Sequence, residues 1–158
     1  MRVAVLDVDV HHGNGTQGIF WERDDVLTVS IHADPADYHP YFWGHAHEAG
    51  SGHGAGFNLN LPLPLGSADA PWLAAGDIAL ERLRAFAPDA LVVALGLDAS
   101  ESDPLQGLKV TNAGFHAMAR RIAALGLPTV LVQKGGYLGD DLGRNLVAFL
   151  SGFAAGRG

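Results

Sequence analysis

The sequence contains no cysteine and few charged residues, and both shortages limit the kinds of fold and of metal site that it can form. Without cysteine the chain forms no disulfide and offers no thiolate to a metal, so any metal ion must be held by histidine, aspartate or glutamate. Only 17% of the 158 residues are charged, whereas 48% are hydrophobic. This balance argues for a globular chain with a substantial core rather than for disorder.

Two further features are missing, a membrane-length apolar run and an excess of basic residues. No apolar stretch approaches the length of a membrane span, and the N-terminus opens directly into a strand-like run without a signal peptide. We therefore expect a cytoplasmic protein with no membrane partner. The net charge of -7 argues against a nucleic-acid partner and suits cationic or neutral substrates.

Strand-like and helix-like segments alternate along the chain, which predicts an α/β fold with a mostly parallel sheet in a single domain. The first predicted strand is VAVLDVDVH, which follows Arg2, and the others cover 26–31, 57–63, 90–97 and 129–133. The predicted helices cover 13–21, 68–86, 111–125 and 142–153, and the apolar stripe of the second includes Ile78. In such a sheet, ligands bind beyond the carboxyl ends of the strands.

The end of the first predicted strand carries a fragment of a metal site. Strand alternation places Asp7, Asp9 and His11 on one face and His12 on the other. Asp98 follows the buried strand ALVVALGL directly and is the candidate third ligand. Asp9, His11 and Asp98 would form a site with an open position, suited to catalytic zinc or a related divalent ion. The alternative is that Asp98 caps a loop and that the other carboxylates are solvated or pair with histidines.

The glycines of GNGTQG, residues 13–18, fit the pattern G-x-G-x-x-G, but dinucleotide binding is not favoured. The helix that follows has only about two turns, and the two carboxylates would repel a pyrophosphate. The glycines fit a sharp turn beneath the metal ligands better.

Tyr137 follows two glycines at the end of the last predicted strand. Its phenol could donate a hydrogen bond to a developing oxyanion, or it could simply pack at the rim. The long loop at 32–56 is rich in aromatic residues and histidines, and we expect it to be ordered and functional. His45 and His47 lie in this loop, where solvated or paired histidines are more common than a second metal site.

Taken together in chain order, these motifs resemble the arginase-like deacetylase family, which includes histone deacetylases and acetylpolyamine amidohydrolases. The resemblance rests on DVDVHHGNGT, SIH, NLNLPLP, LD, DPL and GGY, and it is strongest to the polyamine branch. It implies a three-layer α/β fold with helices on both faces of the sheet. It also implies that residues 1–158 are the C-terminal portion of one deacetylase-like domain.

The resemblance assigns roles to individual residues. It makes Asp9, His11 and Asp98 the ligands of Zn2+, with Fe2+ or Co2+ as alternative ions, and Tyr137 the residue that polarises the substrate carbonyl. It also implies two K+ sites. The first uses the side chains of Asp7 and Ser30 with main-chain oxygens of Asp7, Asp9, His11 and Ile31, and the second uses Phe20, Arg23 and Val26.

The implied function is removal of acetyl groups from acetylated amines, either an acetylpolyamine or acetyl-lysine. In the family the general base is a tandem histidine pair upstream of the metal strand, in a segment this chain does not contain. We therefore expect zinc binding with weak or absent turnover by the chain alone. Lys134 departs from the family pattern, because the polyamine branch usually has an acidic residue before Gly-Gly-Tyr.

Two other functions remain open at this point. One is a non-catalytic metal-binding remnant or binding module, which would associate with a partner or with itself through the surface left by the missing half. The other is a metal phosphohydrolase with two bridged ions, which would need more ligands at the rim and a basic phosphate clamp.

Overall fold

The computed structural model describes all residues from Met1 to Gly158. Five strands alternate with four α-helices, in the order β1 (Val3–Asp7), α1 (Asn14–Phe20), β2 (Val26–Ala33), β3 (Asn58–Leu63), α2 (Asp69–Phe86), β4 (Ala90–Gly96), α3 (Asn112–Ala123), β5 (Thr129–Lys134) and α4 (Leu142–Ala155). A short 3-10 helix, Gly52–Gly54, lies in the long loop between β2 and β3. None of the helices combines the length and apolarity needed to cross a membrane.

All five strands are parallel and follow the order β3-β2-β1-β4-β5. The predicted α/β fold is confirmed. Asp7 at the end of β1 lies in register with Ser30 on β2 and with Ala94 on β4. Because parallel strands end at the same edge of the sheet, the polar segments that follow β1 and β4 lie side by side.

Helices lie on both faces of the sheet. On one face α2 and α3 bury Trp72 and Phe115 against β-branched and leucine side chains of β1, β2 and β4 in a single core cluster. On the other face α1 packs over β2 and β3, where Asn58 and Asn60 each donate a hydrogen bond to Gln17 Oε1. Helix α4 packs against α3, and its Phe149 is fully buried.

The face that carries α1 is only partly covered. Val92 and Ala94 on β4 are half-buried there, and their register partners Val130 and Val132 on β5 are 60% and 46% exposed. Strand β5 also pairs with β4 alone, so its outer edge has no strand neighbour. We call the surface formed by these four residues the open face.

Two details of the sequence prediction were wrong. The first strand ends at Asp7 rather than continuing to His11. The main-chain N–H of Asp9 donates to Asp7 Oδ1 (3.1 Å), and that of His11 donates to Asp9 Oδ1 (2.8 Å). These local side-chain bonds take donors that a continuing strand would use and bend the chain. Ile78 is 54% exposed and does not belong to the buried stripe of α2.

Candidate metal centre

The ends of β1 and β4 bring the three predicted zinc ligands together. His11 Nδ1 lies 3.0 Å from Asp9 Oδ1 and 3.4 Å from Asp98 Oδ2. One ligand atom from each of the three residues lies within 4.8 Å of the other two. The two carboxylates are buried, and His11 is partly buried. The alternative also finds contacts here, because Asp9 pairs with His11 and Asp98 accepts a hydrogen bond from the main chain of Val10, so the role of the three residues as metal ligands stays a prediction.

Main-chain donors fix the orientation of both carboxylates. Val10 N–H donates to Asp98 Oδ1 at 3.1 Å, and His11 N–H donates to Asp9 Oδ1 at 2.8 Å. Each carboxylate therefore holds one oxygen against the backbone and keeps the other for the centre of the cluster. Such supporting hydrogen bonds hold ligands in place before an ion binds.

Gly135 leaves the space at the centre of this cluster. Its φ is +58°, and a Cβ at this position would lie 2.5 Å from Asp9 Oδ2 and 2.6 Å from Asp98 Oδ2. Any larger residue would therefore clash with both carboxylates and also occupy an unfavourable backbone conformation. The first glycine of Gly-Gly-Tyr is thus part of the site rather than only a turn residue.

The charges of the cluster depend on one another. The hydrogen bonds of His11 to Asp9 and then to Asp98 raise the pKa of His11 to about 9. Burial alone would raise the pKa of Asp9, but its hydrogen bonds with His11 and the positive charge of Lys134 outweigh burial and lower it. The buried Asp9 carboxylate therefore depends on positive charge beside it, which is the environment that a cation would provide.

This donor set fits a divalent transition metal. Two carboxylates and one imidazole from three separate positions match a catalytic site with three protein ligands and an open position. Neither His45 nor His47 belongs to the cluster, and their rings stack on each other with centroids 5.6 Å apart.

The residues predicted to hold the first potassium ion lie next to this cluster. Asp7 is buried, and burial is the main cause that raises its pKa to about 6. Ser30 Oγ accepts a long hydrogen bond from Gly13 N–H (3.4 Å) and lies 2.9 Å from His32 Nδ1. Asp7 and Ser30 both line a cavity of about 10 Å³ under α1, which is room for about one water-sized occupant. Ile31 follows Ser30 on β2 with its side chain in the core, so only its main chain could serve as a ligand.

Lys134, whose role the sequence left open, contacts both sites. Its Nζ lies 3.2 Å from Asp7 Oδ2 and 3.3 Å from Asp9 Oδ2. Burial would lower the pKa of Lys134, but the charges of Asp7 and then Asp9 outweigh burial and raise it. The ammonium is therefore charged at neutral pH.

The residues of the second predicted potassium site lie around the turn from α1 to β2. Phe20 ends α1, and its carbonyl accepts a hydrogen bond from Arg23 N–H at 3.0 Å. The Arg23 guanidinium pairs with Asp25 and lies 5.4 Å from the centre of the Phe20 ring. Val26 begins β2. The structure thus places the three residues in one turn, and an ion there stays a prediction.

Tyr137 lies beyond β5 and lines a cavity of about 370 Å³. Its side chain is 58% exposed, so the phenol is free to turn toward a ligand. The cavity adjoins the metal cluster, because Leu97 and Gly136 also line it and are the chain neighbours of Asp98 and Gly135. Its lining is acidic and includes Asp103, Asp140 and Asp141.

Sequence reasoning missed Tyr38 as a neighbour of the metal cluster. Its ring lies 5.3 Å from that of His11, and its buried hydroxyl has no hydrogen-bond partner. Burial, followed by the charge of Asp103, raises the pKa of Tyr38 to about 12, so the phenol stays protonated. The aromatic content of the long loop was the only signal for it.

His12 points away from the cluster, as the sequence predicted, although the strand ends before it at Asp7. It is buried, and its Nε2 lies 2.9 Å from Gln17 Oε1. The same network holds the long loop, because Glu48 Oε2 accepts from Gln17 Nε2 (2.6 Å) and from Gly44 N–H (2.9 Å). These contacts tie the loop to α1, and at the start of the loop the main-chain N–H of Tyr38 donates to Asp34 O at 2.9 Å.

Comparison with known proteins defines the class to which this fold and site belong. The sequence model of the histone deacetylase domain matches residues 1–153. The chain therefore belongs to the histone deacetylase domain family.

Within that family the chain is similar to acetylpolyamine amidohydrolases. It is 50% identical to acetylpolyamine amidohydrolase 1 of Pseudomonas aeruginosa over 152 residues, covering 96% of this chain and 44% of that protein. The crystal structure of acetylpolyamine aminohydrolase from Burkholderia pseudomallei matches with a TM-score of 0.96 and 51% identity, covering 99% of this chain and 46% of that one. The HDA15 HD domain matches with a TM-score of 0.92 and 33% identity, covering 98% of this chain and 45% of that one. The chain thus spans less than half the length of these relatives.

Proposed function

We propose that this chain is the C-terminal, metal-binding portion of a zinc-dependent amidohydrolase that removes acetyl groups from acetylated amines. The observation that carries the proposal is the convergence of Asp9, His11 and Asp98, whose ligand atoms lie within 4.8 Å of one another. Similarity to acetylpolyamine amidohydrolases over almost the whole chain supports the choice of reaction.

Asp9, His11 and Asp98 would hold the ion, and Zn2+ is the preferred candidate over Fe2+ or Co2+. The ion would supply Lewis acidity toward the acetyl carbonyl. Tyr137 would donate its phenolic hydrogen to the carbonyl oxygen as negative charge develops there. Gly135 keeps the space between the two carboxylates free of side-chain atoms.

K+ is proposed beside Asp7 and Ser30. The buried Asp7 carboxylate, with its pKa raised to about 6, gives a cation a favourable position there. We also propose a second K+ near Phe20, Arg23 and Val26, and this proposal rests only on the resemblance to the deacetylase family. Loss of thermal stability when K+ is replaced by tetramethylammonium would support the first site.

An acetylated polyamine is the substrate class that we favour over acetyl-lysine. The cavity beside Tyr137 presents Asp103, Asp140 and Asp141, and the whole chain has a net charge of -7. These charges favour a substrate whose leaving group carries further ammonium groups. A higher kcat/KM for an N-acetylated diamine than for an acetyl-lysine peptide would support this choice.

The remainder of the active protein is proposed to cover the open face. The relatives contain more than the portion that this chain matches, since the chain covers 46% of the Burkholderia pseudomallei structure. Exposed Val130 and Val132 and the unpaired edge of β5 offer apolar area and main-chain hydrogen bonds to such a segment. We refer to the part of the Burkholderia pseudomallei relative that this chain does not match as the complementary segment. That segment would also supply the general base.

The test combines metal analysis with complementation. We expect one zinc per purified chain, little turnover of an N-acetylated diamine by the chain alone, and turnover after co-expression with the complementary segment. Tyr137→Phe should retain zinc and lose this turnover. A purified chain that holds no zinc would overturn the proposal, and a zinc-bound complex without turnover would leave the non-catalytic binding module.

The single three-residue cluster gives no support to a two-ion phosphohydrolase. The cytoplasmic location stays a prediction, which cell fractionation can test.

A further inference from the structure

The Lys134 side chain reaches the metal cluster across β4. Lys134 ends β5 and lies in register with Gly96 on β4. A Cβ on Gly96 would lie within 2.4 to 2.6 Å of Asp9 atoms, so the glycine allows Asp9 to lie against β4, where Lys134 can reach it. The Lys134 ammonium thereby comes within 3.2 Å of Asp7 Oδ2 and 3.3 Å of Asp9 Oδ2.

Lys134 and the proposed metal ion need the same carboxylate oxygen. Asp9 Oδ1 already accepts a hydrogen bond from the main-chain N–H of His11. Asp9 Oδ2 and Asp98 Oδ2 border the same space beside Gly135, at 2.5 and 2.6 Å from the position of a Cβ there. Asp9 Oδ2 is therefore the oxygen that an ion in this space would bind, and it is the oxygen that Lys134 holds.

We propose that Lys134 is a tethered cation that competes with the divalent metal ion for Asp9 and weakens metal binding. This inference rests on the metal centre of the proposed function. A lysine ammonium suits the role because it is a compact charge with three donors on a flexible stem, so it can bridge Asp7 and Asp9. Its side chain is 41% exposed, so it can also withdraw into solvent.

The competition has two physical parts. The ammonium occupies Asp9 Oδ2, and that contact is lost when an ion takes the oxygen. The retained charge also repels a divalent ion a few ångström away, with screening by the solvent that reaches the side chain. Both parts act in the same direction, so removing the charge strengthens metal binding.

The test compares metal affinity in wild type, Lys134→Met and Lys134→Gln. Kd for Zn2+ is measured by competition with a chromogenic chelator, and Kd for Co2+ by its visible absorption. We expect both variants to bind about tenfold more tightly or better, as for loss of a partly screened charge contact of about 1.4 kcal/mol. Lys109→Met is the matched control, because Lys109 forms none of the ion pairs of the structure.

Each outcome decides the inference. Equal Kd values in wild type and in both Lys134 variants would overturn it and leave the metal centre intact. Kd values about tenfold lower in both Lys134 variants, with Lys109→Met equal to wild type, would support it. No binding in any of the proteins would overturn both this inference and the proposed metal centre. The metal-induced rise in Tm, which we expect to be larger in the variants, checks that the variants are folded.

Discussion

The main-chain N–H of Val10 donates a hydrogen bond to Asp98 Oδ1 over 3.1 Å, although the two residues are 88 positions apart in the chain. The bond joins the segment after β1 to the segment after β4, and both segments carry metal-ligand candidates. It fixes Asp98 by one oxygen and leaves Oδ2 facing His11 Nδ1 at 3.4 Å. The ligand geometry thus depends on the pairing of the two central strands.

Asp98→Asn should separate this structural bond from metal binding. An asparagine keeps an oxygen for Val10 N–H but loses the negative charge that a metal ion needs. We expect the zinc content to fall from about one per chain to well below half after dialysis, with Tm of the metal-free protein changed by only a few degrees. Inductively coupled plasma mass spectrometry and thermal unfolding measure the two quantities. Asp77→Asn on the surface of α2 is the control, and a full zinc content in Asp98→Asn would contradict the assignment.

Gly135→Ala should disrupt the same centre by steric hindrance. The new methyl group would meet Asp9 Oδ2 and Asp98 Oδ2, at 2.5 and 2.6 Å, in a backbone conformation with φ of +58°. We expect loss of zinc binding and a decrease of about 1–2 kcal/mol in the free energy of unfolding, from the left-handed conformation alone. Gly139→Ala is the matched control in the same loop, because a Cβ there comes no closer than 3.9 Å to another atom. Normal zinc binding by Gly135→Ala would show that the ion does not occupy the space beside Gly135.

The sequence predicted the helices and strands better than it predicted the side-chain contacts between them. Alternating apolar segments were sufficient to place all five strands and the edge at which Asp9, His11 and Asp98 meet. The end of β1 was missed because it depends on side-chain bonds of Asp7 and Asp9 to the backbone, and strand periodicity does not register these.

Contacts between residues far apart in the chain could not be predicted from the local sequence pattern. Lys134 was noticed only as an unusual residue, since its approach to Asp7 and Asp9 requires the β4–β5 register and the bare backbone of Gly96. Tyr38 reaches His11 through the fold of a long loop, at a ring distance of 5.3 Å. Such contacts depend on tertiary structure and leave no periodic signal in the chain.

His32 should make a contribution to the stability of the chain that is lost in mild acid. This fully buried ring lies 2.9 Å from Ser30 Oγ and donates from Nε2 to Gly44 O at 2.9 Å, and burial lowers its pKa to about 4. The unfolded chain, with a pKa of about 6.5, then binds the proton more readily, so stability is present above pH 6.5 and lost as the pH falls toward 4. His32 alone should contribute a loss of about 2 kcal/mol between pH 7 and pH 5. Asp7 acts in the opposite direction, because its raised pKa of about 6 lets the folded chain bind that proton first, so the contribution of His32 is taken as the difference between wild type and His32→Gln in urea unfolding.

His32→Gln should flatten this pH dependence, since glutamine does not titrate. Some slope should remain, because burial also lowers the pKa of His12, whose ring lies 4.8 Å from that of His32. His53→Gln, at an exposed position in the long loop, should keep the full wild-type slope. An unchanged slope in His32→Gln would rule out His32 as the acid-sensitive group.

Val132→Glu should weaken binding of the complementary segment to the open face. Val132 is 46% exposed on β5, so the glutamate can stay in solvent in the isolated chain and leave its folding and zinc content unchanged. In the complex the carboxylate would be buried among Val92, Ala94 and Val130, which is costly. Lys134, the cation on the same face of β5, already pairs with two carboxylates. We expect at least a tenfold increase in the Kd of the complex, measured by titration of labelled chain with the complementary segment. Ile78→Glu, on an exposed position of α2 outside the open face, should bind like wild type. Equal binding by both variants, or a wild-type chain that only self-associates, would mean that the complementary segment does not cover this face.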